Sequence, residues 1–346
     1  MSEFTHAPAD EFVGWQKAIK KYTQPNARRG TWQVINSFGG LLVSWIVMYL
    51  ALRYIGVWAS LIMAIPTSGF IMRIFVIQHD CGHASFYKSK KANDRIGGIC
   101  GIFTMTPYKP WRRSHAIHHA NHADLDDRGV GDIWTLTVEE FVNAPLYMKI
   151  GYRIFRNPIF LFGIAPTLQF LVLQRTFWGM TAERNRENFI SIMATNVGMA
   201  ALWIIPALLI GWWDTFILWF PVWWIAASVG TWLFYVQHQF EDTYWEHNTD
   251  WDYTLAAMHG SSYYELPVIM QWFTGNIGFH HIHHLSPRIP NYNLQACHQE
   301  NEIFQRVVKL TIFTSFETMF LSLWDEGSRK LVSFREAWQL QAQTQS

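Results

Sequence analysis

The sequence predicts an all-α polytopic membrane protein, with two transmembrane helical hairpins (four spans) beneath a cytosolic helical cap. Three observations predict it: four long apolar runs, an uneven distribution of basic residues around them, and a clustering of histidines between and after them. Half of the 346 residues are hydrophobic and 15% are charged, against about 25% in ordinary soluble domains. The chain carries 19 tryptophans, a residue that concentrates where a bilayer meets water. The mean hydropathy of +0.02 leaves room for a large wet portion.

A helix crosses a bilayer in about 20 apolar residues. Trp32–Leu52 qualifies and contains no charge. Val57–Gln78 follows after a short link and holds one cation, Arg73. Phe189–Ile210 and Phe216–Val236 form a second pair across Gly211-Trp212-Trp213-Asp214-Thr215. Ile96–Thr106 and Ile159–Leu173 are shorter, the latter interrupted by Pro166 and Gln169, and both are read as buried or interfacial segments. Lysine and arginine are nearly missing from the links within each pair, apart from Arg53. They crowd the N-terminal tail, the 79–188 region and the C-terminal region. The positive-inside rule therefore puts both termini and all three wet regions in the cytoplasm. This divides the chain into a cytosolic tail (1–31), a membrane domain (32–310) and a cytosolic C-terminal segment (311–346). The polar N-terminus lacks the basic-then-apolar order of a cleavable signal.

Ten of the 15 histidines fall in three clusters. They are His79-Asp80-Cys81-Gly82-His83, His115-Ala116-Ile117-His118-His119 with His122 beyond, and His280-His281-Ile282-His283-His284. Residues three and four apart share a helix face, so His79 and His83, then His115, His118 and His119, then His280, His283 and His284 can each converge on a metal. Eight such imidazoles exceed the needs of one ion, so the cap is predicted to hold a di-metal site. Imidazole alone leaves zinc, copper, iron and nickel open. His238, at the mouth of the fourth span, is the candidate for a further ligand. His122 and His281 break the periodicity and are read as partners of ligands or as solvated groups. His6, His247, His259 and His298 are structural or surface residues on this reading. Asp80, Asp124, Asp126, Asp127 and Asp132 are candidates to orient ligand imidazoles, which usually give their second N–H to a carboxylate. Cys81 lies on another helix face from His79 and His83, and the three cysteines form neither a CxxC pair nor a disulfide framework.

Three further local readings follow. Asp10–Tyr22 is amphipathic, with Phe12, Trp15, Ile19 and Tyr22 on one side, and lies either on the membrane surface or against the cap. Thr137 and Glu140 form a capping box that opens a helix through Phe141. Gln341–Ser346 is expected to be disordered. A net charge of +1 gives no reason to expect nucleic acid.

The three boxes in this order resemble the membrane fatty-acid desaturase superfamily, most closely its bacterial and plastid acyl-lipid members. The supporting stretches are His79-Asp80-Cys81-Gly82-His83-Ala84-Ser85-Phe86, Gly129-Val130-Gly131-Asp132-Ile133-Trp134-Thr135-Leu136-Thr137, and Gly278-Phe279-His280-His281-Ile282-His283-His284-Leu285-Ser286-Pro287. The resemblance spans about Trp32 to Leu310. It implies two iron ions (Fe2+/Fe3+), O2 as oxidant and insertion of a double bond into a long acyl chain of a membrane glycerolipid. It also implies His238 as the ligand outside the boxes, and a multi-pass protein of a bacterial plasma membrane. The chain has no nicotinamide or flavin fingerprint, so an external donor, ferredoxin or flavodoxin, is expected. Lys88, Lys90, Lys91, Arg112 and Arg113 would attract either such an acidic carrier or anionic lipid headgroups. Apolar residues of Ile96–Thr106 and Ile159–Leu173 either wall an acyl tunnel or are plain interior packing. The rival readings are a hydroxylase or ketolase on the same scaffold, a zinc-dependent membrane hydrolase, and a metal transporter. A hydrolase needs only three ligands and a water. A transporter would place ionisable groups inside its spans.

Overall fold

The computed structural model describes residues 9–177 and 184–344, and His6 lies outside them. The N-terminal segment is not one amphipathic helix. Two 3-10 turns, Ala9–Phe12 and Lys20–Tyr22, flank a short helix α1 (Trp15–Ile19), and Gly14 at φ +92° breaks the run. Phe12, Ile19 and Tyr22 are buried against Met258, Phe279, Ile282, Leu294 and Phe304. Of the two expected placements, packing on the cap is the one observed.

The four predicted spans are the four longest helices. The Asn26 side chain accepts the Arg29 backbone N–H and starts α2 (Ala27–Tyr54). After Ile55 and Gly56, α3 (Val57–Gly82) runs back beside it. The second pair is α9 (Arg186–Ile210) and α10 (Trp212–His238), numbered with the helices described next. The expected five-residue link between them shrinks to Gly211, whose φ of +91° ends one helix and lets the next begin at once. All four are long and apolar enough to cross a membrane. The hairpins meet where α3 packs against α10. Arg73, buried in α3, donates to the Trp272 carbonyl and lies 3.9 Å over the Trp272 ring.

Between the pairs come α4 (Lys90–Phe103), capped by Ser89, and α5 (Tyr108–Asn121). Strand β1 (Leu136–Thr137) leads into α6 (Val138–Asn143) through the predicted capping box of Thr137 and Glu140. Next are α7 (Leu146–Phe155), a π-turn (Phe160–Ile164) and α8 (Ala165–Leu171). The path bends by 65° between α7 and the segment that follows. Cys100 and Leu161, from the two shorter apolar runs, sit in the core with Ile96, Phe103 and Phe162 packed on it.

Beyond α10 the cap adds α11 (Tyr253–His259), β2 (Tyr263–Glu265), α12 (Val268–Phe273), α13 (His280–Leu285) and α14 (Asn291–Gln299). The chain then forms β3 (Lys309–Thr311), α15 (Ile312–Thr318), β4 (Leu321–Asp325), β5 (Lys330–Ser333) and α16 (Phe334–Thr344). The five strands make two small sheets, β1-β4-β5 and β2-β3, within an otherwise helical chain. The expected disorder from Gln341 is not seen as far as Thr344, where α16 ends; residues 345 and 346 lie outside the described residues.

One buried cation ties the cap to the spans. Arg156, 3% exposed at the end of α7, donates to the carbonyls of Trp134 and Leu321, to Thr135 Oγ1, to Tyr235 OH and to Gln239 Oε1. Its planar fork serves five acceptors from three segments of the chain, which an ammonium cannot do.

Candidate metal centre

All nine predicted ligands lie in one cluster, together with His122. Three groups form within it, and in each the ligand nitrogens lie within 4.8 Å of one another. The largest comprises His79 and His83 from the end of α3, His115 and His119 from α5, and His283 from α13. The second joins His118, His122 and His284, and the third His238, His280 and His284. Helix phase explains the division. On α5, His115 and His119 are four apart and face one way, while His118 is turned about 100° from His119 and is joined by His122 from just past the end of the helix. The same offset on α13 sends His283 to the large group and His280 and His284 to the smaller ones.

The nitrogens converge closely. Nε2 atoms are paired at 3.2 Å for His119 and His115, 3.0 Å for His283 and His119, 3.0 Å for His280 and His238, and 3.1 Å for His284 and His280. The Nε2 atoms of His79, His83 and His118 are buried with no hydrogen-bond partner. Burial, reinforced by neighbouring imidazoles, pushes His115, His119, His280, His283 and His284 well below the usual histidine range, so these rings are neutral at physiological pH. Converging ring nitrogens, several of them buried and unpartnered, fit a metal cation.

Two of the five candidate carboxylates do hold cluster imidazoles. Asp132 accepts from Nδ1 of His118, which turns Nε2 inward. It reaches α5 because Gly131, at φ +78°, lets the loop pass where a Cβ would stand 3.1 Å from His118 Cβ. Asp80 lies 3.3 Å from His79 Nδ1 and accepts from the Asn291 backbone N at 2.6 Å and Nδ2 at 2.8 Å, fastening the first box to α14. Asp124 and Asp126 do not contact the cluster. The first accepts from the Asp126 backbone and the second pairs with His247, while Asp127 is exposed. Asp132→Asn keeps the shape of the side chain and removes its charge. It is expected to weaken retention of one metal ion by about 10–100-fold, read by chelator competition on the purified protein.

The irregular histidines have definite places. His281 is fully buried with Nε2 2.9 Å from the Phe304 carbonyl, so the solvated alternative does not hold. His247 bridges Asp126 and Glu326 on the surface, and His259 is buried beside Phe12. Cys81 is buried apart from the groups, and its carbonyl accepts from Tyr108 OH. Among the basic residues expected to attract a carrier, Lys90 and Arg112 are paired with Asp94, which also holds Lys109.

His79 lies in the last turn of α3 and His238 ends α10, so the two helices bring their C-terminal ends to the same cluster.

Residues 55–313 match the fatty acid desaturase family. A fatty acid desaturase of Bacillus subtilis (strain 168) is 40% identical over 92% of this chain and 90% of its own length. The chain belongs to the membrane fatty acid desaturase family. Two cyanobacterial proteins are more distant relatives of this desaturase. The sn-1 oleoyl-lipid 12-desaturase of Synechocystis is 27% identical over 81% of this chain and 77% of its own length. The sn-1 acyl-lipid omega-3 desaturase (ferredoxin) of Nostoc is 28% identical over 73% and 69%. The desaturase is therefore an oxidoreductase and a multi-pass membrane protein, with its histidine cluster at the ends of two of its spans.

Proposed function

We propose that this desaturase introduces a double bond into a long acyl chain of a membrane glycerolipid, using O2 and two electrons from an external carrier. The observation that carries the reading is the convergence of buried imidazoles at the ends of α3 and α10, where an acyl tail in the bilayer can reach them. His79, His83, His115, His119 and His283 would hold one iron, and His118, His238, His280 and His284 the other. Bound there, the two irons would supply the oxidising power to take two hydrogens from adjacent unactivated methylenes. The balance is one CH2–CH2 unit, O2, two electrons and two protons giving CH=CH and two waters.

The protein's own contribution is placement and exclusion. Asp132 and Asp80 fix the outer nitrogens of His118 and His79. The wholly buried α13 keeps bulk water from the oxidant. The membrane domain, 32–310, is assigned the chemistry. The basic loops support a cytoplasmic site with both termini inside, in a bacterial plasma membrane. The Nostoc relative's name specifies ferredoxin, which supports a ferredoxin or a flavodoxin as donor here. The acyl-lipid names of both cyanobacterial relatives support glycerolipid over a free thioester.

Expression in a host lacking polyunsaturates tests this directly, with mass-spectrometric location of the new double bond. The expected product is one double bond richer than its precursor and forms only with O2. An oxygenated chain would instead establish the hydroxylase or ketolase reading, and one zinc with no iron would reject the desaturase chemistry.

A further inference from the structure

We propose that His122 is a fifth imidazole of the second metal position, binding through Nδ1. The inference rests on the two-iron reading above and extends it to a residue whose spacing gives no hint of the role.

The first argument is the proton on its ring. His122 Nε2 lies 2.9 Å from the Gly260 carbonyl oxygen. A carbonyl only accepts, so Nε2 carries the hydrogen and Nδ1 the lone pair. Ligating histidines are held in this way, with the outer N–H given to a carbonyl or carboxylate. The second argument is position. The His122 ring centroid stands 4.4 Å from that of His238, 4.6 Å from His284 and 5.5 Å from His118. One of its ring nitrogens lies within 4.8 Å of ligand nitrogens of His118 and His284. Because His284 also belongs with His238 and His280, the two smaller groups form one position. With His122 that position has five imidazoles, the same number as the large group.

The third argument is that the surroundings are built to hold this ring. His122 lies just past the end of α5 in extended backbone (φ −57°, ψ 133°), and its carbonyl accepts from Trp251 Nε1 at 2.9 Å. At Gly260 a Cβ would stand 2.8 Å from His122 Nε2 and 2.4 Å from the Ala256 carbonyl. Only glycine lets this carbonyl and the ring meet.

Two variants of the iron-loaded protein separate ligation from support. His122→Ala removes both functions. His122→Gln keeps an amide donor for Gly260 but supplies no imidazole nitrogen. The readouts are iron per chain during ferrous-chelator challenge and the Mössbauer spectrum of 57Fe-loaded protein. In both variants one iron is expected to be lost at least tenfold faster than in the unmodified protein. One quadrupole doublet should shift while the other stays. Unchanged doublets and retention in both variants, or full restoration by glutamine, would overturn the assignment while leaving two irons in place. An unmodified protein that binds no iron would instead overturn the two-iron reading, and this inference with it.

Discussion

His283→Ala is expected to lower desaturation by more than about 100-fold while the protein stays in the membrane fraction. His283 is the sole member of the large group supplied by α13. Its Nε2 is 3.0 Å from that of His119, and its ring stands 4.3 Å from His79 and 4.9 Å from His83. The imidazole is almost wholly buried, so no water can take its place without rearrangement. Loss of a mere hydrogen-bond partner of a ligand costs about 10–100-fold in affinity or activity, and loss of the ligand itself costs more. Iron content is the decisive companion measurement, expected to fall from two toward one per chain. Full iron with full activity would remove His283 from the site. The spans do not depend on this side chain, so correct insertion is expected to survive.

Arg156→Ala should instead be a stability variant. Truncation leaves the Trp134 carbonyl without this donor and takes one donor each from the Leu321 carbonyl, Thr135 Oγ1 and Gln239 Oε1 in a buried setting. Each unmet buried acceptor costs about 1–3 kcal/mol. Tyr235 OH keeps its own bonds to the Thr318 and Leu321 carbonyls, so some of the junction survives. A loss of about 3–5 kcal/mol is expected, comparable with breaking a buried ionic contact. That corresponds to a melting temperature in detergent lower by roughly 10 °C. Arg156→Lys should recover little of it, since three donors on a flexible stem cannot reproduce the fork. Gln239 follows His238 directly, so slower iron loading should accompany the fall. A melting temperature within a degree or two of the parent would show that the junction is held elsewhere.

Most of the metal cluster is legible in the amino-acid sequence because helices make spacing into geometry. His79 and His83, or His280 and His284, point together wherever their helices pack. The division of each box between two positions is also a matter of helix phase, yet spacing alone presents His115, His118 and His119 as one face. Only packing against α3 and α13 shows that His118 turns the other way. His122 escapes the periodicity because α5 has ended at Asn121, and its partner is a carbonyl more than a hundred residues away. The N-terminal segment is ambiguous in sequence for another reason: an apolar stripe looks the same whether it meets lipid or protein. What decides it is the core of α11, α13 and α14, which no local pattern reveals. The same holds for Asp132 and Asp126, nearly adjacent carboxylates of which only one has a glycine beside it that brings its loop against α5.

The alternation of imidazoles along α5 carries a consequence for how such a centre tolerates change in length. Both α5 and α13 work as two-sided combs, with neighbouring teeth turned to different groups of the cluster. Inserting or deleting one residue within either helix rotates every later tooth by about 100°, misdirecting nitrogens in both positions at once. Neither half of the centre can be lengthened, shortened or rebuilt by itself. Chain register inside these two short helices is therefore as much a determinant of the active site as the identity of the histidines.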